Sequence, residues 1–405
     1  MISSRNGREV VARFDKIDIL RGLSILAVVL AHIALRMRFA GHSLESTLPP
    51  WLFHLLFWNG NTGVTVFFAI SGFLITITSI RRFGGLDRFR IGQFYRIRFA
   101  RIAPLLLLLL GMLSVLHLAG AEGFVISPQK ASLPRALLSA LTFHLNWLEA
   151  ERGYLPASWD VLWSLSVEEM FYLMFPVACL LVLRARSGGL LFAGLLFSFV
   201  AMGPLARTVW STNELWREKS YLSGMDAIAM GCLSALLTDW LLRKGGGSLY
   251  RALRWRGVEG AGFGLILLVA VWPRWDVMRY LGRTGLDGTL LAFGTCLVMI
   301  GSVLRGSVPG RWTAPVRWFG RLSYEVYLTH EFVVIWGTAA YVGWQRVPLA
   351  LWFVLLLVVS ALLGAVVARW FSEPLNRRLR KGGRRKPGAE AMGECTRVEA
   401  SAASD

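Results

Sequence analysis

The stretch DILRGLSILAVVLAH, residues 18–32, combines an apolar run with three ionisable side chains, Asp18, Arg21 and His32. A helix of about 20 mostly apolar residues crosses the hydrocarbon core of a membrane, and the apolar character here extends over residues 17–37. An ionisable group inside such a helix is costly and needs a partner or a wet cavity. The stretch therefore predicts a membrane helix that also carries a functional site.

The rest of the chain repeats this apolar pattern. The 405 residues are 55% hydrophobic and include 17 Trp, with a mean hydropathy of +0.52. This composition is typical of polytopic membrane proteins and argues against a soluble single core. The fold class predicted is all-α, a polytopic integral membrane protein with about ten transmembrane helices. They lie near residues 17–37, 62–80, 98–118, 161–183, 189–206, 221–242, 258–273, 286–304, 318–341 and 348–371.

The formal charge is +19, and the basic residues that produce it are distributed unevenly between the two sides of the predicted spans. With the N-terminus inside, 31 of the 44 Lys and Arg residues fall in the N-terminal segment, in alternate loops and in the C-terminal tail, and 12 fall on the other side. This bias predicts an even number of spans with both termini in the cytoplasm. It also makes membrane lipids the expected partners of the basic residues and leaves no need for nucleic acid.

Three parts of the chain are expected from composition. Residues 1–16 form a cytoplasmic N-terminal segment, 17–372 a transmembrane domain, and 373–405 a basic, partly disordered cytoplasmic tail. The first span lacks a small-residue cleavage site and is predicted to be retained rather than removed as a signal peptide. The longest connection, 119–160, is a candidate lid or acceptor-binding element.

In the first span, Arg21 and His32 are eleven residues apart. On a helix this is about three turns, roughly 16 Å, at nearly the same azimuth, so both side chains line one face. Asp18 precedes Arg21 by three residues and can pair with it. The alternatives are a snorkelling anchor for Arg21 and a structural interhelical hydrogen bond for His32.

Two further motifs lie towards the cytoplasmic side. Ser71 and Gly72, in the second span, either line a cavity or let two helices approach closely. Seven Arg occur within 21 residues after that span, and Arg98 and Arg101 are one turn apart. Because guanidinium groups bind phosphates bidentately, this pair predicts a site for a phosphate-bearing donor such as a coenzyme A thioester. Anionic lipid headgroups are the alternative ligand.

The fourth and ninth spans carry the remaining polar candidates. Ser164, Glu168 and Tyr172 share one helix face, while Glu169 points elsewhere, towards a basic residue of another helix.

In the ninth span, Tyr327 comes three residues before His330. By residue count, His32, Glu168 and His330 reach the outer half of the bilayer, which suggests acid–base chemistry. They could also be zinc ligands, but no tight spacing such as HExxH supports a metal, and none is predicted.

Together these motifs resemble membrane-bound acyltransferase family 3, which O-acetylates bacterial surface polysaccharides, lipopolysaccharide, peptidoglycan and some secreted small molecules. The resemblance covers residues 15–380. It rests on DILRG with the following His32, on GVTVFFAISGFLI, the Arg98–Arg101 pair, WSLSVEEMFYLMFP, RLSYEVYLTH and SEPLNRRLRK, in the order found in the family.

The resemblance implies a ten-helix enzyme of the inner membrane that moves an acyl group, usually acetyl, from cytoplasmic acyl-coenzyme A to a hydroxyl at the outer side. Acyl-coenzyme A is then a donor substrate, and no permanently bound cofactor is expected. The acceptor implied is a surface polysaccharide or lipid-linked glycan, or alternatively a small secreted metabolite such as a macrolide. Arg21 and His32 match the essential pair of the family, and Arg98 and Arg101 match its donor-binding pair. Ser71 and Gly72 match its small-residue motif. Glu168 and His330 match polar positions that recur in the family.

The expected mechanism uses His32 as a general base towards the acceptor hydroxyl, or as a transient acyl carrier. Arg21 would orient the donor, Asp18 would hold Arg21, and Glu168 and His330 would bind the sugar and set the His32 tautomer. One branch of the family has an SGNH-type domain after the helices, which this chain is expected to lack. A separate periplasmic or glycan-assembly partner could then recognise the acceptor. The rival hypothesis is a proton-coupled transporter or flippase.

Overall fold

Long helices lie at all the predicted spans of the computed structural model, which describes residues 14–210, 213–271, 276–306 and 309–381. They are α1 (Asp15–Phe39), α2 (Gly60–Phe83), α3 (Ile91–Leu118), α4 (Leu162–Leu183), α5 (Gly188–Thr208), α6 (Tyr221–Lys244), α7 (Arg256–Val271), α8 (Leu286–Arg305), α9 (Ser323–Trp344) and α10 (Leu349–Val367). Within those described residues the secondary structure is helical and contains no strand. The predicted all-α class is confirmed.

Eight helical segments of the described chain are long and apolar enough to cross a membrane. The two other predicted spans are also helices, but α7 has only 16 described residues and α9 carries Glu325, His330 and Glu331 among its apolar residues. A shorter or more polar helix of this kind is accommodated where its neighbours in the bundle surround it. The chain is therefore a multi-pass membrane protein.

Short helices fill the connections between the long ones. They are Pro50–Phe57, Leu133–Leu141, Leu145–Arg152, Ala157–Asp160, Glu214–Lys219, Ser248–Arg254, Asp276–Arg283 and Ala314–Arg321, with one 3₁₀ turn at Arg311–Thr313. After α10, a π-helical segment (Ala368–Ser372) leads into a C-terminal helix (Glu373–Lys381). The tail predicted from residue 373 thus begins as a helix, and its remainder, like residues 1–13, lies outside the described residues.

The ninth predicted span, 318–341, is divided in the structure. The helix Ala314–Arg321 is followed by its cap residue Leu322, and α9 starts at the next residue, Ser323. The short helix packs on the beginning of α1, where Gly320 meets the backbone of Asp18 so closely that a Cβ atom would overlap it. The predicted single helix therefore becomes two, one of which fixes the start of α1.

Helices α2 and α6 meet through two glycines. A Cβ atom on Gly72 would overlap the carbonyl of Ile228, and one on Gly231 would overlap the carbonyl of Ala69. Such contacts bring two helix backbones together in a membrane, where small residues allow close packing. Gly72 thus belongs to a helix contact, the second of the two roles considered for it, and is not among the residues that line the cavity described below; its role in donor binding stays a prediction.

The long connection, 119–160, is tied to the bundle by a buried ionic cluster. Nζ of Lys219 lies 2.9 Å from Oε2 of Glu149 and also contacts Asp160. Burial, and then the neighbouring Asp160 charge, raise the pKa of Glu149 well above its ordinary value, and Lys219 opposes this rise. Phe124 stacks on Phe332 of α9 with 5.5 Å between ring centroids. The connection is therefore a packed part of the fold.

The substitution Lys219→Met is expected to lower the free energy of unfolding by about 3–5 kcal/mol, because it removes the ammonium group that pairs with the buried Glu149 and with Asp160. Thermal unfolding of the purified protein in detergent measures the loss. The control is Arg243→Met, whose ion pair with Asp239 is exposed and should contribute less than about 1 kcal/mol. Equal losses in the two variants would mean that the ionic cluster adds no net stability.

Candidate active site

Two histidines and a glutamate from α1 and α9 form a compact cluster. Nδ1 of His32 is 2.7 Å from Nε2 of His330 and 2.8 Å from Oε1 of Glu331. The two imidazole rings are stacked with 5.0 Å between centroids. His330 and Glu331 are buried, whereas the side chain of His32 is 27% exposed. His32 is thus the member of the cluster that a substrate can reach.

Backbone carbonyls determine which ring nitrogens carry protons. Nδ1 of His330 lies 2.8 Å from the carbonyl oxygen of Tyr327 and 3.1 Å from that of Val326. Because a carbonyl only accepts, this nitrogen donates, and Nε2 of neutral His330 is an acceptor. The donor facing it is Nδ1–H of His32, which also points at the Glu331 carboxylate. Nε2 of neutral His32 therefore has a free lone pair, as a general base requires.

Glu331 was not among the residues singled out in the sequence. The available signal was an acidic side chain next to His330 inside an apolar span, which is itself a functional candidate. What the sequence does not give is the neighbouring helix, because only the contact between α1 and α9 brings Glu331 within 2.8 Å of His32.

Glu168, expected with the two histidines, lies outside their cluster. Its Oε1 accepts hydrogen bonds from Ser71 Oγ at 2.6 Å and from the Tyr172 hydroxyl at 2.5 Å. The physical reason is the course of α4: Ser164 faces α9 at Tyr327, and Glu168, one turn further, meets α2. The predicted shared face of Ser164, Glu168 and Tyr172 is present, since all three line one cavity.

This main cavity has a volume of about 790 Å³ and runs along α2 between α3, α4 and α9. Arg82, Arg101 and Arg380 line one end, which we call the arginine end. Ser164 and Tyr327 line the other, which we call the tyrosine end. Along α2 the lining extends from Val64 to Phe83, about 28 Å at 1.5 Å per residue. Most of the wall between the ends is apolar, including Phe67, Ile70, Leu74, Ile75 and Leu328.

Arg98 and Arg101 both line the cavity but differ in their partners. Nη2 of Arg98 is 2.8 Å from Oε1 of Glu169, and its guanidinium lies 3.6 Å from the centroid of the Tyr172 ring. The prediction that Glu169 pairs with a basic residue of another helix is thereby confirmed. Among the described residues Arg101 has no ion pair.

Arg21 reaches the same cavity from α1. Its Nη2 donates to Ser323 Oγ at 2.9 Å, and its Nη1 lies 3.5 Å from Oδ1 of Asp18. The expected pairing of Asp18 with Arg21 is present, and Ser323 is an additional partner at the start of α9. His32 is not among the cavity-lining residues, so the face that it shares with Arg21 continues beyond the cavity.

Tyr327 joins the cavity to the histidine cluster. Its hydroxyl is 2.6 Å from Ser164 Oγ at the tyrosine end. Its carbonyl accepts the hydrogen bond from His330 that fixes the tautomer described above. The cavity therefore ends within one helical turn of His330.

The histidine cluster also has the composition of a metal site, since its donor atoms lie within 4.8 Å of one another. Donor atoms around a tetrahedral zinc ion, each at about 2.0 Å from it, are about 3.3 Å apart. The contacts that His32 makes, 2.7 and 2.8 Å, are instead hydrogen-bond distances. The third separation, 3.4 Å between Nε2 of His330 and Oε1 of Glu331, is close to the metal-ligand spacing, but the two contacts of His32 favour proton transfer.

A smaller cavity of about 430 Å³ lies at the start of α2, away from the arginine end of the main cavity, and is itself lined by Arg207, Arg217 and Arg283. Phe68 lines both cavities, while Asn61, Trp163, Glu218 and Asp287 line the smaller one. Aromatic rings among amide, carboxylate and guanidinium groups are suited to a polar, hydroxyl-bearing ligand.

Comparison with known sequences matches residues 14–370 to a family described as "Acyltransferase domain". The O-acetyltransferase OatA of Staphylococcus aureus is 22% identical over 338 residues, covering 79% of this chain and 53% of OatA. The chain thus spans about half the length of that relative. The acyltransferase MdmB of Streptomyces mycarofaciens is 25% identical over 409 residues, covering 95% of this chain and 97% of MdmB. No solved structure matches the chain.

Proposed function

The chain belongs to this acyltransferase family, and on that premise we propose that it is a membrane-bound O-acyltransferase. It moves an acyl group, in our proposal acetyl, from cytoplasmic acyl-coenzyme A to a hydroxyl of a surface polysaccharide or lipid-linked glycan. The observation that carries the proposal is that Tyr327 lines the main cavity and also holds His330 of the histidine cluster through its carbonyl oxygen. One end of that cavity is rich in arginine, and the other ends within a turn of His330.

In this proposal the protein lies in the inner membrane of the cell. The arginine end of the main cavity faces the cytoplasm. The excess of Lys and Arg in alternate loops supports this direction. Guanidinium groups there face a donor that carries phosphates. The apolar wall of the cavity suits the extended arm that links these phosphates to the thioester.

His32 is proposed as the general base. Its Nε2 takes the proton of the acceptor hydroxyl while the hydroxyl oxygen attacks the thioester carbonyl. The carbon–sulfur bond then breaks, and the proton passes to the leaving thiolate, so that the products are an ester and free coenzyme A. Glu331, 2.8 Å from Nδ1 of His32, stabilises the imidazolium that forms in between. A transient acyl-His32 is the alternative route.

Other cavity residues receive positioning roles in this proposal. Arg21, held by Asp18 and Ser323 near the beginnings of α1 and α9, points its guanidinium into the main cavity and contacts the donor there. The hydrogen bond between Ser164 and Tyr327 must open for the acyl end of the donor to reach His32. Phe68 lies between the smaller cavity and the main cavity and lines both. We propose that the acceptor enters from the outer side through the smaller cavity.

The test is acyl transfer by the purified full chain. Acetyl-coenzyme A labelled in its acetyl group is incubated with glycolipid extracted from cells in which the gene is deleted. We expect a labelled, base-labile ester on the glycolipid and an equal amount of free coenzyme A thiol. In liposomes, movement of the glycolipid across the membrane without esterification would contradict the proposal and favour a transporter.

A further inference from the structure

At the arginine end of the main cavity, the arginine side chains outnumber the acidic side chains that pair with them in the described part of the chain. Arg81 and Arg98 are already engaged: Arg81 lies 4.6 Å from the centroid of the Phe14 ring, and Arg98 pairs with Glu169. Three arginines remain, and in the described part of the chain none of them has an ion pair: Arg82, Arg101 and Arg380.

These three arginines come from three separate elements. Arg82 lies at the end of α2, Arg101 lies on α3, and Arg380 lies on the C-terminal helix. The C-terminal helix packs on α3, and Arg380 interacts electrostatically with both other guanidiniums. Bringing like charges together in this way is unfavourable unless an anion joins them.

We propose that Arg82, Arg101 and Arg380 form the binding site for the phosphate groups of the donor nucleotide. This inference rests on the proposed function and assigns a part of its donor site. Phosphate oxygens accept bidentate, charge-assisted hydrogen bonds from guanidinium groups, and three arginines provide donors for more than one phosphate. The site is completed only when the C-terminal helix is docked.

This assignment changes the role of the Arg98–Arg101 pair. Arg98 is a positioning residue: its salt bridge to Glu169 and its contact with the Tyr172 ring hold α3 against α4. Arg101, one turn away, is the member of the pair that contacts the donor. From the level of Arg82, the apolar wall leads along α2 to Phe67, about 22 Å by helical rise, which gives the remainder of the donor an extended path.

An anionic lipid headgroup offers the same phosphate chemistry. The position of the three arginines at the mouth of a deep cavity, with Arg380 supplied by a helix packed over that mouth, favours a ligand that enters the protein. The experiment must therefore separate a soluble nucleotide from a lipid phosphate.

The test measures dissociation constants of the full chain, purified in detergent, for coenzyme A, for dephospho-coenzyme A and for pantetheine. Arg380→Gln and Arg82→Gln are each expected to weaken coenzyme A binding about 10- to 100-fold, as the loss of a charge-assisted contact predicts. Binding of pantetheine, which lacks phosphates, should be unchanged. The matched control is Arg377→Gln on the same helix, whose side chain is exposed and pairs with Glu373; it should bind coenzyme A like the wild type.

Two results would overturn the inference. If the wild type binds coenzyme A and both variants bind it equally tightly, the phosphates lie elsewhere, although the proposed acyl transfer can still stand. If vesicles containing phosphatidylglycerol bind the wild type but not Arg380→Gln, while coenzyme A affinity is unchanged, the three arginines hold lipid headgroups. Failure of the wild type to bind either coenzyme A or pantetheine would count against the proposed function itself. Size-exclusion profiles and helical circular dichroism confirm that each variant is folded.

Discussion

Replacing His32 with alanine is expected to reduce acyl transfer about 10²- to 10⁴-fold, the usual contribution of a positioned general base. The reason is the lone pair on Nε2 of His32, which the contacts of its Nδ1 with His330 and Glu331 leave free. The rate is measured as free thiol released from acetyl-coenzyme A in the presence of acceptor. Since the side chain is partly exposed, the variant should still be found in the membrane in normal amount.

The matched control for this variant is His42→Ala. His42 follows α1 and contacts the ring of Tyr341 edge-on, with 5.2 Å between centroids, outside the histidine cluster. It should transfer at close to the wild-type rate. Wild-type-like transfer by His32→Ala would remove the proposed base and leave the cluster without its assigned chemistry.

Glu331→Gln is expected to cause a loss on the order of 10³- to 10⁴-fold, comparable with the replacement of an orienting carboxylate by its amide in a catalytic triad. The amide keeps the shape of the side chain but removes the charge that stabilises the His32 imidazolium. Its NH₂ group can also point at Nδ1 of His32 and move the ring proton to Nε2, the wrong tautomer. Because the two residues act as a unit, the double variant with His32→Ala should be hardly slower than either single variant.

A chelation experiment separates this proton-transfer role from metal binding. Treatment of the wild type with a strong zinc chelator should leave the transfer rate unchanged. Loss of activity on chelation, with recovery on adding zinc, would contradict the hydrogen-bonded arrangement and make His32, His330 and Glu331 metal ligands instead.

The sequence predicts the helices well because long apolar runs leave few alternatives in a membrane. It also predicts relations within one helix: the pairing of Asp18 with Arg21, and the common face of Ser164, Glu168 and Tyr172, follow from helical periodicity alone. Even the partner of Glu169 could be described by type, as a basic residue of another helix, although not identified as Arg98.

Relations between helices could not be predicted in the same way. Whether Glu168 or Glu331 meets His32 depends on which helix lies beside α1, and hydropathy carries no information on that. Gly72 has the same difficulty, since a small residue permits either a cavity or a close contact until its neighbour, here Ile228, is known. The position of Arg380 at the cavity could not be predicted for another reason. Its basic neighbours in sequence suggested a solvated tail, whereas in the structure α10 continues into a helix that packs on α3.

The hydrogen bond between Ser164 and Tyr327 has a consequence for the membrane as a whole. A passage wide enough for the extended arm of the donor, if it were open at both ends, would let protons leak and would dissipate the proton gradient across the membrane. In the proposed function, the hydroxyl groups of Ser164 and Tyr327, 2.6 Å apart, separate the donor cavity from the outer side of the membrane and so preserve the electrical resistance of the bilayer. On this proposal only the small acyl group crosses that point, and the bulky, charged carrier stays on the side from which it entered.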